Sequence, residues 1–369
     1  MMLVMLPSNT EYGRRLAAVM PTVYTTVAQG RVLQAVVLVI DGLGWVNLKE
    51  YAAAAPQLCT LRGKRITTVA PSTTAAAITT ITTGKLPAEH GLLGYQILNP
   101  ATDRITQTLK EWDEITDLRA WQRCRTVFEM AKQRGISCTV FARPAHRSSG
   151  FTRAVLSGAN YHGAQTINER FAQLTTALRQ HHPGIYYLYV DELDKAGHSE
   201  GVGSQLWLKR LRQVDQAVAD LLPALPSDCA LVLTADHGMI NLGQHQHRYL
   251  EDLRVLPENT RIAGEARHRH LYLPDPEAAT AVAAELQRLE GGNCWVGTRK
   301  QWLATGVYGD FTAYPQNANR VGDVVLVPRK RLAYLSHSNP GEAQLQGFHG
   351  GLDDDELGIP LLFAGEHLY

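Results

Sequence analysis

Short apolar runs rich in β-branched residues recur along the chain between longer stretches of helical period; the clearest span residues 36–40, 138–141, 186–190, 230–233 and 360–363. Unbroken apolar runs of this length suit strands covered on both faces. Their alternation with helical stretches predicts an α/β fold, a mostly parallel sheet with helices on both faces. Three of the runs end in polar residues of one kind: Asp41 follows VVLVI, Asp191 to Asp194 follow YYLYV, and Asp236 and His237 follow LVLTA. In open α/β sheets, sites form beyond the carboxyl ends of strands, which makes these three endings candidate site positions.

The stretch PSTTAAAITTITTGKLP, residues 71–87, is harder to place, because threonine is a middling helix former and propensity alone would allow a strand. Its alanine run and the stop at Gly84 favour a helix over 74–83, with Ser72 or Thr73 near the N-cap. Between His237 and His349 the pattern changes character. HLYLP, a helical EAATAVAAELQRLE, CWVG and GDVVLVP read as a small α+β insertion of two or three strands and a helix or two. The chain is thus expected to divide into a core of residues 1–244 and 341–369 and a cap of residues 245–340 inserted in it, placed to cover the site and select substrate.

Composition narrows the picture. With 369 residues and 45% hydrophobic side chains the chain can bury a large core, and 36 Lys plus Arg against 35 Asp plus Glu leave no basic field to attract a nucleic acid polymer. The start lacks a positive region ahead of a sustained apolar stretch, and no later run reaches membrane-spanning length, so a protein without a membrane partner, in the cytoplasm, is expected. Five dispersed cysteines fit reduced thiols better than a disulfide framework.

The candidate chemistry lies in four short strings. Asp194 and His198, in DKAGH, are four residues apart and turn toward one ion if the segment makes a helical turn. Asp236 and His237 end a strand, where adjacent ligands point in different directions and serve two ions or two sides of one. Asp41-Gly42 taken alone reads as a turn, and His349 before two glycines reads as a loop. Their order is what carries weight: Asp41, PSTT, DKAGH, ADHG and FHGG, with strand-like runs before the first, third and fourth.

In that order the chain resembles the alkaline phosphatase superfamily, through VLVIDGLG, APSTTAAAITTITTGKLPAEHGLLGY, YVDELDKAGH, LTADHGM and GFHGG, and within it the type I phosphodiesterase / nucleotide pyrophosphatase family. The resemblance covers nearly the whole chain outside the insertion. It implies that Asp194, His198 and His349 hold one divalent ion, and that Asp41, Asp236, His237 and the hydroxyl of Thr74 hold a second. Zinc suits mixed His and carboxylate ligation, and manganese or iron would also be tolerated. Thr74 is implied as the nucleophile, activated by coordination rather than by a separate base, at a helix N-terminus suited to phosphoryl oxygens. The implied reaction is hydrolysis of a small phosphate ester or nucleotide-like diester through a phosphothreonine-type intermediate. A phosphomonoesterase, a phosphonate hydrolase and a non-catalytic binder of a phosphorylated ligand stay open as alternatives. The sulfatase branch, with C/S-x-P-x-R, and the serine-dependent phosphoglycerate mutase branch do not match. One departure stands out: where the family has an Asn shortly after the threonine, this chain has Ala75, Ala76 and Ala77, which puts phosphoryl-oxygen recognition in doubt.

Overall fold

The computed structural model describes residues 5–112, 115 and 117–366; the first four residues of the apolar start and part of the stretch from Gln96 to Trp121 lie outside the described residues. The central sheet has seven strands in the order Arg62–Thr67, Gly358–Gly365, Cys229–Thr234, Gln34–Ile40, Gly184–Val190, Ser137–Ala142 and Asn160–Gly163. Five of them, from Cys229–Thr234 to Asn160–Gly163, run parallel. Every residue of Gln34–Ile40 and of Cys229–Thr234 is buried, which is why these strands read as continuous apolar runs rather than as alternating ones.

The register sets the site. Ile40 pairs with Val190, and Val39 with Thr234, so the residues following the three central strands emerge side by side at one edge. The Gly358–Gly365 strand departs from the parallel expectation and runs antiparallel to both of its neighbours. The chain reaches it from the His349 loop, already at the carboxyl edge, so it crosses the sheet in the reverse direction. Arg62–Thr67 was not apparent in the apolar pattern because, as the edge strand, it is exposed over its first three residues.

The threonine-rich stretch is a helix, Thr74–Thr83, with Ala75 to Thr83 all buried. Three of its interior threonines are satisfied locally: the hydroxyls of Thr79, Thr82 and Thr83 donate to the carbonyls of Ala75, Ile78 and Thr79 at 2.6, 3.0 and 2.6 Å. A hydroxyl bonded within its own helix behaves as an apolar filler, so threonine serves here as a core residue.

Residues 245–340 hold a four-stranded antiparallel sheet, Arg261–Glu265, His268–Tyr272, Val324–Pro328 and Cys294–Thr298, together with helices Ala279–Glu290 and Arg299–Ala304. With the parallel pair His247–Tyr249 and Ala333–Leu335 that makes six strands where the pattern indicated two or three, because RIAGE carries too few apolar residues to read as a strand and the parallel pair is only three residues long. Alternation along Val324–Pro328 divides its two faces. Val325 and Val327 join the main core with Trp302 and Tyr308, while Val324 and Leu326 pack with Leu271 and Leu286 in a second core. The stretch from Gln96 opens with a hairpin of Gln96–Asn99 and Arg104–Gln107. Among the described residues no helix is long and apolar enough to cross a membrane.

Candidate metal centre and nucleophile

All seven residues expected at the site meet at the carboxyl edge of the central sheet. Asp194, His198 and His349 present ligand atoms within 4.8 Å of one another, and so do Asp41, Asp194 and His237. Asp194 lies in the first turn of helix Glu192–Glu200 and His198 in its last, four residues apart on one face, with His198 Nε2 3.4 Å from Asp194 Oδ1. Asp236 joins the second group through His237, whose Nε2 lies 3.6 Å from Asp236 Oδ2 and 3.4 Å from Asp41 Oδ1. Thr74 Oγ1 lies 3.2 Å from the same nitrogen.

The hydrogen bonds around the three histidines fix which nitrogen faces inward. His198 Nδ1 lies 2.9 Å from the Gly347 carbonyl, His237 Nδ1 3.0 Å from that of Gly238, and His349 Nδ1 2.9 Å from that of Ser72. A carbonyl only accepts, so each Nδ1 carries the proton and each Nε2 keeps its lone pair for a ligand. The His237 and His349 rings stack at 3.7 Å between centroids, tilted by 13°. Burial, and then the neighbouring His237 and His198 rings, hold His349 well below the ordinary imidazole range, in its ligand-ready neutral form.

The carboxylates show the complementary need. Asp41 Oδ1, Asp194 Oδ1 and Asp236 Oδ2 are buried without a hydrogen-bond partner among the described residues. Burial, followed by repulsion from Asp236 and Asp194, pushes the Asp41 carboxyl well above its usual range. Three carboxylates this close, each with an oxygen left over, fit divalent cations. Tyr189 donates its hydroxyl to Asp41 Oδ2, and the Gly42 amide donates to Asp236 Oδ1 at 3.1 Å, so the second oxygen of each carboxylate is held in place.

The helix Thr74–Thr83 starts without a side-chain cap, although Ser72 and Thr73 both stand where a capping hydroxyl would be expected. Ser72 is engaged elsewhere. Its hydroxyl donates to the Gly351 carbonyl at 2.8 Å and accepts from the Gly350 amide at 3.1 Å, which ties the His349 loop to the start of the helix. Thr73 lines a cavity together with Glu265. With neither hydroxyl folded back, the first amides of the helix stay open to an anion beside Thr74.

Two cavities meet at Thr74 and Asp194. One of about 270 Å³ extends past Asp41 and is walled by Ile78, Leu109, Phe151, Leu156 and Tyr161, with Lys110 and Lys195 among its polar lining. The other, about 210 Å³, extends past His198 and His349 toward Tyr95, Glu265 and Glu342.

The remaining polar residues of the sequence sort themselves by position. His90, whose Nε2 lies 3.0 Å from the Thr80 hydroxyl and whose Nδ1 accepts the Leu92 amide, braces the helix Thr74–Thr83 from behind, where burial pushes it down to about 3. His146 borders the first cavity, 2.8 Å from Asp191. His162 lies in a separate groove, and His270 is buried in the antiparallel sheet with its Nδ1 accepting the Gly322 amide. Lys85 pairs with Glu89 at 2.9 Å outside both cavities. Tyr189 and Glu265 went unnoticed in the sequence: the first is hidden in an apolar strand, and the second belongs to a strand that the pattern missed.

A family model described as type I phosphodiesterase / nucleotide pyrophosphatase matches residues 35–352. Human ectonucleotide pyrophosphatase/phosphodiesterase family member 1 is 27% identical over 253 residues, which is 64% of this chain and 27% of that protein, so the chain spans about a quarter of that relative's length. Among solved structures, murine ectonucleotide pyrophosphatase/phosphodiesterase 5 superposes with a TM-score of 0.72 at 19% identity, covering 90% of this chain and 88% of that one; it has also been solved, inactive, in complex with AMP. Phosphonoacetate hydrolase from Sinorhizobium meliloti 1021, in complex with phosphonoformate, superposes with a TM-score of 0.69 at 20% identity, covering 90% and 89%. At these identities the structural neighbours establish the alkaline-phosphatase-like fold.

Proposed function

The chain belongs to the type I phosphodiesterase / nucleotide pyrophosphatase family of the alkaline phosphatase superfamily, and from that premise we propose that it is a metal-dependent phosphodiesterase working through Thr74. The observation that carries this reading is Thr74 at the uncapped start of a helix, beside two ligand clusters and at the junction of two cavities. A monoester needs one pocket, whereas a diester places a substituent on each side of phosphorus. The apolar and aromatic wall of the larger cavity suits a base or another flat group, in keeping with the AMP bound by the murine neighbour.

Asp194, His198 and His349 would hold one ion, and Asp41, Asp236 and His237 with Thr74 the other, with zinc the best match to the donors. Bound there, the ions would neutralise the phosphoryl charge and lower the pKa of the attacking hydroxyl. The chain's own groups do the rest. The backbone amides at the start of Thr74–Thr83 orient the phosphoryl oxygens and supply the contact that the missing Asn would have made. Thr74 Oγ attacks phosphorus as the first P–O bond breaks, and water later displaces the threonine. Two inversions give net retention. Five unpaired cysteines, four of them buried, support a reducing cytoplasmic setting.

Hydrolysis of bis-p-nitrophenyl phosphate and p-nitrophenyl phosphate by metal-reconstituted protein tests the proposal. The diester is expected to be preferred, with activity lost on chelation and lowered at least about 10³-fold in Thr74→Ala while folding and metal content persist. Preference for the monoester would move the enzyme to the phosphatase branch, and full activity of Thr74→Ala would overturn the nucleophile.

A further inference from the structure

The cavity on the His198 and His349 side has a chemistry of its own. Thr74 Oγ1 sits against His237 and the Asp41 group. An in-line displacement sends the departing oxygen to the face away from the attacking one, toward the donors that do not touch Thr74. Those donors, His198 and His349, open onto the smaller cavity, whose far wall carries Glu265 and Glu342 and, among the described residues, no lysine or arginine. We propose that this cavity receives the departing group and that Glu265 selects an alcohol that is uncharged or carries a cation over a phosphate or pyrophosphate. The inference rests on the phosphodiesterase reading above.

Glu265 is built into the site. It is 8% exposed at the end of strand Arg261–Glu265, and its Oε1 accepts the Tyr95 amide at 2.6 Å. Its Oε2 has no partner among the described residues. The backbone makes room for it: a Cβ on Gly94 would come within 3.2 Å of Oε2, and one on Gly350 within 2.9 Å of the Glu265 Cβ. A buried carboxylate oxygen left unpaired is destabilising unless something donates to it, and a ligand hydroxyl or ammonium in this cavity is the missing donor.

Among the described residues the arginine that acts on Glu265, Arg269, is already engaged. Arg269, behind the wall, donates to Glu342, to the Tyr334 carbonyl at 2.6 Å and to the Gly264 carbonyl at 3.2 Å. Asn339 also borders an outer cavity of about 700 Å³, which is lined by Glu111, Glu251 and Glu258 against Arg269 and an Arg261 paired with Asp103. A departing pyrophosphate would bring several negative charges against this wall, whereas an amino alcohol would complement it.

In the step concerned, the bond from Thr74 Oγ to phosphorus forms while the P–O bond to the departing group breaks. The electron pair goes to the departing oxygen, which takes up a proton and leaves as an alcohol. In the reverse sense, an added alcohol attacks the phosphothreonine, loses its proton to solvent and returns Thr74 as a hydroxyl. An acceptor alcohol therefore occupies the cavity that the leaving group vacates, and acceptors report on it directly.

The test uses wild type and Glu265→Gln, metal-reconstituted, with bis-p-nitrophenyl phosphate and equal concentrations of 3-aminopropanol, 1-propanol or 3-hydroxypropanoate, at about pH 8.5, where the carboxylate and the ammonium are both charged. For wild type, transfer to 3-aminopropanol should exceed transfer to 1-propanol about tenfold, with 3-hydroxypropanoate lowest. In Glu265→Gln the first ratio should fall to within about twofold of unity while p-nitrophenol release continues. Equal or anion-favouring transfer in wild type overturns the proposal, whatever the variant does, and so does an undiminished ratio in an active Glu265→Gln. Absence of Thr74-dependent p-nitrophenol release would instead sink the diesterase reading, and this inference with it.

Discussion

Tyr189 reaches out of the strand Gly184–Val190 to donate its hydroxyl to Asp41, and the bond does more than fill an oxygen. It leaves Oδ1 as the free ligand atom, in the way that outer hydrogen bonds orient metal-binding groups. Tyr189→Phe should therefore weaken metal binding about tenfold, read by competition with a chelator, with little change in global stability; unchanged affinity would leave Tyr189 as wall material for the larger cavity. Glu265 offers a second residue-scale test. Burial raises its carboxyl to about 7 despite the Tyr95 amide. The folded state thus keeps a proton that the unfolded chain gives up near the ordinary value of about 4.5, so stability is full below that value and is lost as pH rises toward 7. In chelated protein, Glu265→Gln should remove this slope and gain on wild type by roughly 3 kcal/mol between about pH 5 and 8. Parallel denaturation profiles for the two proteins would contradict it. The seven clustered residues were legible through the order of five short strings and the family resemblance that this order carries, since Asp41 and His349 taken alone read as a turn and a loop. Tyr189 and Glu265 act through a tertiary contact that no local string encodes.

At the scale of elements, the strands most legible in the sequence were those buried on both faces, because burial forces an unbroken apolar run. The exposed edge strand Arg62–Thr67 and the strand Arg261–Glu265, which lacks such a run, could not be seen that way. The direction of Gly358–Gly365 was hidden for another reason: composition does not say from which edge the chain arrives. The helix Thr74–Thr83 was legible through its stop signal. Gly84 adopts φ 69°, its amide donates to the Thr80 carbonyl at 2.9 Å, and a Cβ there would come within 2.5 Å of Pro21 Cγ. Gly84→Ala should cost about 1–3 kcal/mol in denaturant unfolding, from the left-handed backbone and the crowding together. Because Thr74, the proposed nucleophile, lies ten residues away at the other end of the helix, the kcat of the folded fraction should fall by less than about threefold. A large drop in kcat without loss of stability would mean that the helix transmits the strain to Thr74.

Across the whole molecule, a buried ion pair helps to tie the two sheets together behind the site. Arg267, in the turn between Arg261–Glu265 and His268–Tyr272, lies 2.5 Å from Glu356, and both side chains are fully buried. Two further Arg267 bonds, of 2.7 and 2.8 Å, go to the carbonyls of Lys330 and Leu332. Glu356 in turn accepts the Gly351 amide on its carboxylate at 2.9 Å and the Gly238 amide on its carbonyl at 2.8 Å. The loops bearing His349 and His237 therefore hang from the residue that also anchors the second sheet. Glu356→Gln would leave Arg267 buried without its counter-charge, at an expected cost of roughly 3–5 kcal/mol. Stability alone does not separate a mere tie from a positioning role, since a buried pair is often replaceable by apolar groups of similar volume. Arg267→Met with Glu356→Leu makes that separation. It should recover much of the lost stability, because no charge is stranded, yet keep metal affinity about tenfold or more below wild type, because the Gly351 amide has lost its acceptor. Wild-type metal affinity in a stable double variant would show that the His349 loop is held by Ser72 alone, and that the pair serves only to fasten one sheet to the other.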